Sequence, residues 1–81
     1  MEILAFFNFF QVLRWEVFSS SWTVLVGQIW RPVPNQAYKY TLVGQTWLNL
    51  RANRVNKIEL QSFQQFTVQP GDRMGWFTPT G

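Results

Sequence analysis

The chain has 81 residues, with seven Lys+Arg against four Asp+Glu for a formal net charge of +3; 47% of its residues are hydrophobic and 14% charged. It contains neither Cys nor His. Within this chain that excludes a disulfide framework, a thiolate nucleophile, a Cys- or His-ligated metal and an imidazole base. The length allows one domain with a thin core.

Aromatic residues make up 19% of the chain, including five Trp and eight Phe. That is more large side chain than a small core needs, so some rings are expected at the surface or beneath a partner. The charged fraction is below the usual quarter. The basic residues are dispersed, and only Arg51, Arg54 and Lys57 fall close together. A nucleic-acid binder usually carries a denser basic patch.

In chain order, residues 1–10 are nearly all apolar. They are too few for a membrane span and lack the positive start and small-residue cleavage site of a secretory signal. A buried first strand is the leading reading. A helix (Phe6, Phe10, Leu13 and Val17 at helical spacing) and a truncated signal segment stay open. Leu13, Trp15 and Val17 then alternate with Arg14 and Glu16, a half-buried strand with a charge pair on one face. Ser19–Ser21 is a polar break. Trp22–Trp30 is apolar on both faces, which predicts a central strand covered on both sides.

Pro32–Asn35 predicts a loop. Tyr38–Val43 reads as a strand, with a turn or bulge at Gly44-Gln45 before a further strand, Thr46–Leu50. A polar connection, residues 52–56, follows. Ile58 and Leu60, then Phe66 and Val68, sit in period-two patterns. Pro70-Gly71-Asp72 has proline and glycine in the order of a type II turn. Arg73–Phe77 is the last strand. Six or seven short strands predict an all-β protein, an antiparallel β-sandwich of jelly-roll type. The expected layout is a single domain over 1–81: an apolar lead segment at 1–10, a sandwich core at 11–78 and a loop at 79–81. Because a jelly roll wants strands beyond Phe77, the domain is expected to be cut short at its C-terminal end.

The four carboxylates are Glu2, Glu16, Glu59 and Asp72. A glycosidase needs two of them flanking a scissile bond. Nothing in the spacing assembles such a pair, so Glu16 and Glu59 read as solvated strand charges beside Arg14 and Lys57. Asp72 reads as a turn residue bonding backbone groups, since six to eight oxygens for calcium are not in sight. The glycines are isolated and form no phosphate loop. No cofactor is implied.

Exposed aromatics are the functional lead, because flat rings stack on sugars or anchor a protein partner. Tyr38, Tyr40, Trp47 and Arg51 are the candidate ligand-binding residues. Lys39, Tyr40, Trp47 and Arg51 would also suit single-stranded nucleic acid on an OB-like barrel, but the diluted charge argues against it. Several segments occur together in order: Trp15-Glu16-Val17-Phe18, Ile29-Trp30-Arg31-Pro32, residues 40–46, residues 56–60 and residues 68–77. As a set, over roughly residues 12–78, they resemble a β-rich module of secreted or cell-surface multidomain animal proteins. Met1–Phe10 departs from that module's lead-in, and its strands after Gly75-Trp76-Phe77 are missing. The resemblance implies an extracellular or cell-surface setting and neighbouring domains, and carries over no catalytic or binding residues. The expectation is a non-enzymatic interaction or adhesion module, binding a glycan or another protein and without a membrane span. A purely structural domain is the alternative.

Overall fold

The computed structural model describes residues 2–8 and 11–79. Among them are six strands: β1 (Glu2–Asn8), β2 (Gln11–Ser19), β3 (Thr23–Pro32), β4 (Tyr40–Leu50), β5 (Arg54–Glu59) and β6 (Arg73–Phe77). They form two antiparallel three-stranded sheets, ordered β1-β2-β5 and β4-β3-β6. The all-β expectation holds. The chain crosses between the sheets after β2, after β4 and after β5.

Alternation decides which residues meet between the sheets. Trp15 and Val17 of β2, Leu25 and Ile29 of β3, and Leu48 and Leu50 of β4 are buried in one cluster with Val12, Leu60 and Val68. Trp15 is its centre, with no exposed surface. Its indole Nε1 donates to Thr46 Oγ1 at 3.1 Å across the sheets, which satisfies the one polar atom that burial would otherwise strand. A Cβ on Gly27 would lie 2.8 Å from Trp15 Cζ3. Glycine at that point of β3 is what lets the backbone close onto the indole.

Each sheet has one irregularity. β3 and β4 shift register between Ile29 and Trp30, passing from the pair Ile29–Gly44 to Trp30–Leu42. The residue left over is Val43, which packs against the core. So β4 is one bulged strand rather than two, and the expected break at Gly44 is the bulge. A Cβ on Gly44 would lie 2.6 Å from Phe66 Cγ, so Phe66 occupies the space a side chain would take. In the lead segment the strand reading holds over Glu2–Asn8, paired along β2 with a shift between Phe6 and Phe7. Met1, Phe9 and Phe10 lie outside the described residues, as do Thr80 and Gly81 of the expected terminal loop.

Three expectations are corrected. The alternation at Phe66 and Val68 is real in burial, with Thr67 exposed between them. It yields only an isolated bridge, Gln11–Thr67, after a short 3-10 turn at Ser62–Gln64. The backbone of this segment pairs with the start of β2, and Pro70 then removes the next ladder donor. Tyr38 lies outside β4, at φ 64°, a left-handed backbone that no strand uses. The polar connection after β4 is shorter than expected, because β5 already begins at Arg54. Asn56 organises that connection. Its Oδ1 accepts from Arg51 N at 2.8 Å, and its Nδ2 shares two protons among the carbonyls of Val17, Arg51 and Arg54 at 3.1–3.2 Å.

The Pro70-Gly71 turn forms as expected. Asp72 N donates to Gln69 O at 3.1 Å and Gly71 has φ 94°, the left-handed conformation a type II turn demands at its third residue.

Candidate functional site

The β1-β2-β5 sheet turns Arg14, Glu16 and Phe18 of β2 away from the core, beside Glu59, Lys57 and Val55 of β5. Register sets Arg14 opposite Glu59, Glu16 opposite Lys57 and Phe18 opposite Val55. Arg14 Nε lies 3.0 Å from Glu16 Oε2, and its Nη1 lies 4.0 Å from Glu59 Oε1. The charge pair expected on β2 is present, and one guanidinium bridges the two carboxylates considered for acid–base work.

The β4-β3-β6 sheet presents a different outer face. On β3 it carries Val24, Val26, Gln28 and Trp30, and on β4 Tyr40, Leu42, Gln45, Trp47 and Asn49. On β6 it carries Arg73, Gly75 and Phe77. Val26 has no exposed surface although it faces away from the core. Its register partners Trp47 and Phe77 cover it from either side. β3 is therefore central, as its two apolar faces suggested. Its outer cover, however, is neighbouring side chains and not another layer.

Trp30 packs against β6 on this face. A Cβ on Gly75 would fall 3.2 Å from Trp30 Nε1, so the pyrrole side of the indole lies over bare backbone. Trp30 Nε1 donates to Gln28 Oε1 at 3.3 Å, and Gln28 Nε2 donates to Gln45 Oε1 at 3.2 Å. This relay crosses two strands and fixes the ring's orientation. Trp30, Tyr40 and Arg73 line an open cleft of about 450 Å³, within the size range of small-ligand sites. Trp47, 60% exposed, is the register partner of Val26, four positions along β3 from Trp30, about 13 Å away at strand rise.

Tyr40 and Trp47 of the expected site therefore share one face. Tyr38 is 95% exposed in the β3–β4 loop. Arg51 follows the other end of β4, about 35 Å from Tyr40 at strand rise, where its Cζ sits 5.9 Å from the centroid of the exposed Trp22 ring, a cation–π contact. The four do not converge on one point. Trp30 and Arg73 were missed as site residues, because Arg73 reaches Trp30 only through the non-local β3–β6 pairing. The relevant sequence signal was the parity of Gln28, Trp30 and Pro32, and the same parity in Arg73, Gly75 and Phe77.

Asp72 has a larger role than its turn. Arg31 Nε and Nη2 donate to its Oδ1 and Oδ2, each at 2.9 Å, and Gln69 N donates to Oδ2 at 2.8 Å. The Arg31 hydrogen bonds, aided by the Gln69 amide and the guanidinium charge, hold the carboxyl below its ordinary value against a smaller upward push from burial. Among the described residues, no three of His, Cys, Asp and Glu come together in a way that could hold a metal. No helix there is long and apolar enough to cross a membrane. Comparison with protein-family models, with curated proteins and with solved structures finds no match for this chain.

Proposed function

We propose that this chain is a non-enzymatic interaction module, a jelly-roll-like β-sandwich that binds a glycan on the outer face of its β4-β3-β6 sheet. The observation that carries the reading is Trp30, packed against Gly75 and hydrogen-bonded to Gln28, beside Tyr40 and Arg73 in an open cleft with Trp47 further along the same strands. Flat rings supported by a rigid sheet suit the apolar faces of sugar rings, and the glutamine amides between them suit hydroxyls. A rigid aromatic surface also loses little conformational entropy on binding.

The sandwich reading rests on the shared core, built from β2 on one side and β3 and β4 on the other. The carboxylates support a non-enzymatic role. Glu16 and Glu59 are engaged on the opposite outer face, and both oxygens of Asp72 are taken by Arg31. An extracellular or cell-surface setting, among further domains, rests on the resemblance of the ordered segments from Trp15 to Phe77.

Titrating neutral and acidic oligosaccharides against tryptophan emission tests the reading. Saturable quenching is expected, with Trp30→Ala and Trp47→Ala each weakening binding at least tenfold. Trp76→Ala is the control. Trp76 pairs with Gly27, so it points to the other side of the sheet, and its loss is expected to leave binding intact. Unchanged emission across the panel, or equal loss in the Trp76 variant, would sink the proposal.

A further inference from the structure

From the distribution of charge around this cleft we infer that the glycan is an acidic one, with Arg73 receiving a carboxylate or sulfate ester while a sugar ring rests on Trp30 or Tyr40. The inference rests on the aromatic face being a glycan site and adds the class of sugar.

Glu16, Glu59 and Asp72 are accounted for elsewhere. Glu16 and Glu59 lie on the far outer face, against Arg14 and opposite Lys57. Asp72 is the chain neighbour of Arg73 and would be its natural counter-ion. Both of its oxygens are instead held by Arg31, which has the opposite parity on β3 to Trp30 and so leaves the sheet on its other side. Among the described residues, no carboxylate shares the aromatic face.

The bases are placed the other way. Arg73 stands opposite Trp30 in register and lines the cleft. It has no ion pair among the described residues. Lys39, also exposed, directly precedes Tyr40 in the chain. Arg51 lies over Trp22 at the far end of the same strands. Among the described residues the face therefore offers rings with Arg73 at one end and Arg51 at the other, and no carboxylate between them. A guanidinium pairs with the oxygens of a carboxylate or a sulfate through two parallel N–H groups, and at an exposed position such as Arg73 that attraction is sensitive to salt. A neutral sugar would leave that charge unanswered. The full chain's charge of +3 adds attraction at long range.

The test uses hexagalacturonate, its fully methyl-esterified form, a sulfated hexasaccharide and a single-stranded oligothymidylate, each titrated into the full chain at low and high salt. The methyl ester keeps the rings and removes the charge. At least a tenfold preference for hexagalacturonate or the sulfated sugar over the ester is expected, shrinking at high salt. Arg73→Gln should weaken binding of the acid at least tenfold more than binding of the ester and so remove that preference, and Arg73→Lys should restore part of it. Which acidic sugar binds tighter separates a carboxylate site from a sulfate site, and either result supports the inference. Equal binding of acid and ester would overturn the acidic-sugar inference and leave the aromatic platform standing. If no saccharide bound, both would fall. Tighter binding of the oligothymidylate would make the face a single-strand nucleic-acid platform and overturn the inference.

Discussion

The two outer faces of this molecule start from the same alternation and end in opposite chemistry. On the β1-β2-β5 sheet, Arg14, Glu16, Lys57 and Glu59 set opposite charges across the strands. Those four charges offset one another. On the β4-β3-β6 sheet, Trp30, Tyr40, Trp47 and Phe77 occupy the equivalent positions around a glutamine relay. Sheet formation needs only one apolar face, so the second face is free to vary. Two of the four large rings on that second face, Trp47 and Phe77, cover Val26, and all four are what the proposed recognition role would use.

The comparison breaks most completely between the sheets. Trp15→Ala is expected to cost about 3–5 kcal/mol and to remove both faces together, seen as loss of a cooperative urea transition. Asn56→Ala comes next, at about 2 kcal/mol, since it strips the buried bonds holding the β4–β5 connection, read from the same transition. The Arg31–Asp72 pair is tested by pH. Because the Asp72 carboxyl is held below its ordinary value of 3.8, its contribution is present above that value and lost as pH falls through the folded one. Asp72→Asn should therefore lower the melting temperature at neutral pH, with the two proteins converging below about pH 4, near the ordinary carboxylate value. Trp47→Ala should cost about 1 kcal/mol or less, from uncovering Val26, while weakening the proposed sugar binding at least tenfold. Arg14→Gln on the charged face should change stability by about 0.5 kcal/mol or less and leave binding untouched. The last two variants together sharpen the contrast: one face is measured by binding and the other by neither readout.

Much of the fold was legible because period-two alternation is local. β2 and β6 stand out in the sequence, with β6 running from Arg73 to Phe77 as read, and Pro70-Gly71 announces its own turn. What was hidden is what depends on partners. Nothing local shows that Phe66 fills the space over Gly44, or that the backbone around Thr67 pairs with just the first residues of β2. The apolar outer side of β3 looks buried from sequence, yet its cover is two side chains from neighbouring strands. The site was half legible for the same reason. Tyr40 and Trp47 share a strand and can be paired by counting. Arg73 becomes Trp30's neighbour only once β6 chooses β3, and Arg31 claims Asp72 across 41 positions.

The sealing of Trp15 under Gly27 also gives the molecule a built-in optical partition. Of five tryptophans, one is dry and bonded to a threonine, while Trp22, Trp47 and Trp76 are exposed and Trp30 lies half-covered at the cleft. The native emission should therefore be a sum of a blue component that acrylamide barely reaches and a red component that it quenches readily. A ligand on the aromatic face would act on the red component alone, whereas loss of the fold would move the blue one. A single cuvette can thus tell occupancy from unfolding without any label.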